Sequence, residues 1–382
     1  MKGIFSLLLA CCVIFGCRSK NNEAKPLEPV TSPGNSTVTC ARGFTLEKTG
    51  PDMLLTVKNP WQHASGIEFS YLLSDSVKAS SKIGDHSWAI KTPVRKVICL
   101  STTHIGFVDK LGKIKTIRGI SGKNLVVNPE IRKGINNNSI TDVGYDENLN
   151  YELILKINPD VVFVYGVGVE ITNTVRKLND LGIPSMLIGE YLEEEPLAKT
   201  EWIKVFGACY GKLPEAAQTF DSTVTRYLQL KNMAESSMER PVVLLGLPWR
   251  GNWYVSGSKS YIARLIKDAG ANYVWDQLDF NESRPMSLEK IYEKALDADL
   301  WLNTGEALTS NDVLSVDERF GKLPVFIKKS MYNNNNLLSE TGGNAFYESG
   351  VVEPDVILKD LICIFHPQLL PSYRLKYYRK LP

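Results

Sequence analysis

Residues 212–238 read KLPEAAQTFDSTVTRYLQLKNMAESSM. At helical spacing Ala217, Phe220, Val224, Tyr227, Leu228 and Met233 fall largely on one face, with charged and amide residues opposite. Pro214 suits a first helical position, and Glu215 complements the positive end of the helix dipole. About 24 helical residues extend roughly 36 Å, the breadth of a small domain. The spacing therefore predicts a strut over 211–238, flanked by two α/β halves with the same internal plan.

Ahead of the strut, VRKVICLST (94–102) is a strand with an almost unbroken apolar core, followed by a loop at Ser101–His104 and an apolar helix ending at Gly112. A second strand, IKTIRGIS (114–121), runs into an Asn-rich loop. VGYDENLNYELILKINPDVVFVYG (143–166) then reads as loop, helix 150–157, Asn-Pro stop and buried strand, and TNTVRKLNDLGIPSMLIGE (172–190) repeats helix then strand. Beyond the strut, RPVVLLGLPWRGNWYVSG (240–257) gives a strand and an aromatic loop, and SKSYIARLIKDAGA (258–271) a helix. SLEKIYEKALDADLWLNTG (287–305) gives helix, acidic stop and buried strand, matching 150–166 at nearly the same intervals. Two like-built α/β lobes with parallel sheets, at 91–210 and 239–382, leave a cleft between their strand ends. The chain closes with a long loop at 333–350 and an amphipathic helix stopped at Pro367.

At 382 residues, two domains are the natural division. With 43% hydrophobic and 23% charged residues the composition is that of a globular protein. A net charge of +2 without a long basic run speaks against nucleic-acid binding. Residues 1–16, with Lys2 ahead of an apolar run from Ile4 to Phe15, have the charge and length of a secretory signal and are short for a membrane span. They lead into Cys17 in a setting that resembles a bacterial lipobox, so Cys17 is the expected lipidation site; the alternative is a plain signal peptide cleaved nearby. The tract 17–37 is polar and Pro-containing, a flexible tether. Short alternating segments over 38–90 predict a small antiparallel β appendage, whose Trp61 is either a core residue or a ligand contact. Cys40, Cys99, Cys209 and Cys363 show no paired spacing, and free thiols are expected.

The order and spacing of these motifs, VRKVICLSTTHIGFVDKLG and NYELILKINPDVVFVYG before the strut and VLLGLPWRGNWYVSGSKSYIARLIKDAGA and SLEKIYEKALDADLWL after it, resemble class III substrate-binding proteins. These are the ferric-siderophore, haem and cobalamin-binding components of ABC importers. The resemblance, spanning roughly Val94 to Pro371, implies two α/β lobes bridged by one helix that allows only small tilts. It also implies that Glu152 and Glu289 dock onto arginines of the two permease subunits. Like charges at like positions suit a two-fold partner, although both could be solvated carboxylates favoured by a helix N-terminus. The implied partners are a permease dimer with its ATPase, a small metal chelate, and a membrane reached only through the anchor. The protein itself is expected to be a monomer, lipid-anchored in the periplasm or on the outer face of the cytoplasmic membrane, with no cofactor, no metal and no enzymatic activity.

The ligand cleft is expected at loops following the strands: Ser101, Thr102, Thr103, His104, Tyr145, Tyr165 and Tyr191 in the first lobe, and Trp249, Arg250, Trp253, Tyr254 and Arg284 in the second. The loop PWRGNWY is the most telling, since two Trp, a Tyr and an Arg exceed what a turn requires. Flat apolar contact plus a guanidinium suits a ferric siderophore or similar iron complex, with cobalamin close behind; haem would want a Tyr or His axial ligand. His366, before Pro367, reads as a partner for a helix-terminal carbonyl. The rival from another class is an exported hydrolase using Ser101 and His104, but no G-x-S-x-G elbow accompanies them.

Overall fold

The computed structural model describes residues 37–145 and 148–382, so Cys17, the signal segment and most of the tether lie outside the described residues. The appendage is a five-stranded sheet built from Phe44–Thr49, Asp52–Lys58, Glu68–Ser74, Ser81–Gly84 and Ser87–Lys91. Its neighbours run antiparallel except Glu68–Ser74 and Ser87–Lys91, which pair in parallel. Alternate residues Phe69, Tyr71 and Leu73 point inward, as a half-covered sheet demands.

Two buried carboxylates pin the start of this appendage to the first lobe. Glu201 accepts hydrogen bonds from the Thr39, Cys40 and Ala41 amides at 2.6–2.8 Å and from the Lys204 ammonium at 2.6 Å. Glu193 accepts from the Arg42 and Gly43 amides and from Trp202 Nε1 at 3.1 Å. Further along, the Leu187 amide donates to the Tyr71 hydroxyl, and Trp88 Nε1 donates to Asn179.

The first lobe is an all-parallel sheet in the order Ser185–Leu187, Val161–Val164, Val97–Cys99, Ile117–Ile120, Thr141–Asp142. The second runs Asn272–Tyr273, Val242–Leu245, Leu300–Leu302, Met331–Asn333, with Arg379–Lys380 added antiparallel at the edge. Both share one core: the lobe's opening strand lies between its second strand and the strand that follows the Glu-led helix. Strand order reverses at that opening strand, which is where open α/β sheets leave a crevice at their carboxyl ends.

The strut is a helix over Leu213–Glu235. Its buried line is Ala216, Phe220, Thr223, Tyr227 and Ala234, rotated from the face read in the sequence; Met233 is exposed instead. The reason is close approach. A Cβ on Gly207, in the Ile203–Cys209 helix, would lie 2.4 Å from the Ala216 Cβ, so small residues set the contact and larger apolar ones move to its flanks.

The strut is not the sole connection. After Asn333 the chain returns to the first lobe, where Glu348 accepts from the Val127 and Asn128 amides at 2.8 and 2.7 Å. Thr200 Oγ1 donates to the Val351 carbonyl at 2.8 Å. Gly106 is required there, because a Cβ would sit 2.1 Å from the Glu348 carbonyl oxygen. The Pro354–Phe365 helix then packs along the strut, with Arg226 paired to Asp355. The single bridge that the resemblance implies is therefore reinforced by a second crossing.

Cys40, Cys99, Cys209 and Cys363 are free, 99 and 209 buried and the other two half-buried. No helix among the described residues is long and apolar enough to cross a membrane.

Candidate functional site

A cavity of about 650 Å³ opens where the two lobes and the appendage meet, a volume suited to a small-molecule ligand. The first lobe contributes Tyr191–Glu194, a turn beyond the strand Ser185–Leu187. The second contributes Ser256, the N-terminus of the Tyr261–Asp268 helix, Asn281 and Glu282, and Asn303 and Asn334 after its central strands. Phe346 and Tyr347 enter from the returning tail.

The appendage supplies a fourth side through Asn59, Trp61, Gln62 and His63. This loop is held by Asn59, whose amide donates to the Ile67 carbonyl while its side chain accepts from the Ile67 amide. The Gln62 amide donates to the Val167 carbonyl of the first lobe at 2.9 Å, and His63 Nε2 stands 4.0 Å from Glu282 of the second. Trp61 is both core and wall: it packs edge-on against Phe69 and also borders the cavity.

Charged groups tie the lobes together at the cavity's edge. Arg264 bridges Glu194 at 3.2 Å and Glu195 at 2.8 Å, and Asn281 donates to Glu194 at 2.9 Å. Behind this, the Lys199 ammonium lies over the Tyr261 ring, its pKa lowered by burial against the pull of Glu190. Burial likewise raises the Glu190 carboxyl, with Lys199 and Thr103 opposing. Tyr191 is pushed up to about 12 by burial and the Glu190 charge, so it stays a neutral phenol that donates to the Gly166 carbonyl at 2.7 Å.

The residues expected from the sequence divide. Tyr191 lines the cavity, and Tyr165 meets it edge-on at 6.4 Å, with Tyr145 beyond, hydroxyl to hydroxyl at 3.4 Å. Ser101 is a helix cap, its side chain accepting from the Thr103 amide; Thr102 and Thr103 open that helix. His104 does not face the cavity. It is the third residue of the helix rather than a loop residue, fully buried among Phe163, Tyr165 and Phe206, and burial pushes its pKa down to about 3. Trp253 is also interior, stacked on Trp301 at 5.8 Å, with Nε1 donating to the Leu245 carbonyl. Trp249 is 61% exposed at the turn, with the Arg250 guanidinium 4.4 Å over its ring. Tyr254 and Arg284 lie on the two-stranded antiparallel ribbon Trp253–Ser256/Ser283–Met286, Arg284 paired with Glu282 at 2.7 Å. His366 bonds the Gly270 carbonyl at 3.0 Å. Among the described residues no group of three or more His, Cys, Asp or Glu is arranged to hold a metal ion.

The cavity residues missed in the sequence include Asn59, Gln62, His63, Ser256, Asn281, Glu282, Asn303 and Asn334, together with Glu193, Glu194 and Tyr261. They come in ones and twos from distant segments, and only the tertiary fold gathers them.

Glu152 and Glu289 are exposed in the first turns of Tyr151–Ile157 and Leu288–Ala295, at equivalent places in the two lobes.

Two α/β lobes meeting along a solute-sized cleft, joined by the strut and a second crossing, have the architecture of a solute-binding protein. The chain belongs to the periplasmic binding protein family, whose signature matches residues 97–333. An uncharacterized lipoprotein of Methanocaldococcus jannaschii is 29% identical over 311 residues, covering 79% of this chain and 72% of its own length. In fold, the chain is similar to an Fe3+-hydroxamate transport protein of Saccharomonospora viridis (TM-score 0.57, 16% identity, covering 83% of this chain and 100% of that one). It is also similar to a periplasmic heme binding protein of Pseudomonas aeruginosa (TM-score 0.57, 16% identity, 76% and 98%).

Proposed function

We propose that this chain is the capture component of an ABC importer, exported and lipid-anchored through Cys17, taking an iron complex of the ferric-siderophore type into the interlobe cleft. The observation that carries this reading is the cavity itself, walled by Tyr191, Tyr261, Phe346 and Tyr347 around polar amides at the junction of the lobes. Aromatic faces grip the apolar surface of a chelate while a few directional groups fix its orientation. The similarity to a lipoprotein supports the anchor, and the similarity to a hydroxamate transport protein supports the cargo. A corrinoid is the second reading, favoured by the same mixture of rings and amides. Glu152 and Glu289 serve as twin contacts for a two-fold permease, setting register and encounter rate more than affinity.

The visible absorbance of protein purified from its native host tests the cargo, since an iron complex, a haem and a corrinoid each absorb distinctively. A ligand-induced rise in melting temperature with ferric chelates or cobalamin supports capture; no shift with any of them overturns it. Reversing both charges, E152K with E289K, is expected to abolish stimulation of the transporter ATPase while ligand binding persists. Unchanged uptake by that double variant would sink the docking role.

A further inference from the structure

The chemistry of the cavity narrows its cargo further. Amide side chains enter from opposite sides: Asn59 and Gln62 from the appendage, Asn281, Asn303 and Asn334 from the second lobe. A primary amide offers two donors and an acceptor without charge; of these side chains, Asn59 already accepts from the Ile67 amide and Asn281 already donates to Glu194. The Glu193, Glu194 and Glu282 carboxylates stand among them, and none of the described residues lining the cavity is Lys or Arg.

The arginines at the edge are already engaged. Arg264 spans Glu194 and Glu195, and Arg284 bonds Glu282 at 2.7 Å while lying over the Phe280 ring. Arg250 stacks on Trp249 at a turn outside the lining. Four carboxylates, Glu193, Glu194, Glu195 and Glu282, thus stand against two guanidiniums, Arg264 and Arg284, so an anionic chelate would enter a space with an excess of its own sign. An uncharged or cationic chelate bearing amide, hydroxamate or hydroxyl groups would instead meet matching donors and acceptors. Resting on the capture reading above, we infer that this cleft selects metal chelates of zero or positive net charge that carry such groups, and rejects polyanionic ones.

Titration of the purified protein, followed by tryptophan fluorescence, with a neutral ferric trihydroxamate, cyanocobalamin and a trianionic ferric tricatecholate tests this. At least one of the first two is expected to bind roughly tenfold or more tightly than the tricatecholate. The weak tricatecholate binding should strengthen with added salt, because screening relieves repulsion. Glu282→Gln releases Arg284 and removes one negative charge, and should raise tricatecholate affinity several-fold while leaving the neutral preference in place. Tightest binding by the tricatecholate, weakening with salt, would overturn the charge rule while leaving capture of iron complexes intact. Absence of binding by all three, with no melting shift from any other chelate, would bring down the capture reading and this inference together.

Discussion

Asp160 and Asp299 occupy the same place in the two lobes. Asp160 donates its amide to the Lys96 carbonyl and returns a carboxylate oxygen to the Lys96 amide, each at 2.8 Å. Asp299 does the same with Val242, at 2.8 and 2.9 Å. The acidic stop after each Glu-led helix therefore clasps the entry to its lobe's opening strand. The repetition read in the sequence is a repetition of hydrogen bonds.

Replacing Asp160 by Ala should cost about 1–3 kcal/mol, since the same oxygen also accepts from the Arg95 amide at 2.6 Å. Asp299→Ala should cost less, because its site is more exposed and serves one amide. Urea unfolding of the two single variants measures the difference; equal costs would contradict the geometry.

The two tryptophans of PWRGNWY should part company. Trp253→Ala empties a site stacked on Trp301 and edge-on to Phe320 and should cost about 3–5 kcal/mol. Trp249→Ala, at an exposed turn, should stay within about 0.5 kcal/mol of the parent. Thermal melts of both variants check this.

The appendage loop should matter to binding and not to folding. Gln62 and His63 are exposed, so Gln62→Ala with His63→Ala should leave the melting temperature nearly unchanged. Because both border the cavity, ligand affinity should fall roughly five- to tenfold, the scale of one or two lost polar contacts. Calorimetric titration beside a melt separates the two effects.

Glu348 should make stability depend on pH. Burial raises its carboxyl from 4.5 to about 7, with Asp109 adding and the Val127 and Asn128 amides opposing. A folded form that holds its proton more tightly than the unfolded chain is favoured at low pH. This contribution is therefore full below about 4.5, declines as pH rises toward 7, and is flat beyond. Between pH 5 and 7.5 the parent should lose stability, and Glu348→Gln should lose less. Denaturant unfolding at both pH values provides the comparison.

Much of the framework was legible because it is written in continuous runs. VICL, VVFV and VVLL are buried on both faces and cannot be amphipathic, which marks a parallel sheet. The strut was visible in position but not in rotation, since the close approach of Ala216 to Gly207 turns Ala216 and Thr223 inward and leaves Met233 exposed, a contact that apolar periodicity does not encode. His104 was misplaced for a local reason: Ser101 caps a helix that starts at Thr102, turning an apparent loop into a first turn whose third residue faces the core. The cavity was only partly legible, because Asn59, Asn281 and Asn334 owe their meeting to crossings between distant segments.

The clamp that Glu201 and Glu193 place on residues 39–43 has a mechanical consequence. A pull on the chain ahead of Thr37 reaches these carboxylates before it reaches most of the appendage sheet, so the load passes into the first lobe through hydrogen bonds in shear. Because Glu193 is also part of the cavity wall, that load arrives beside the cavity instead of peeling strands from an edge.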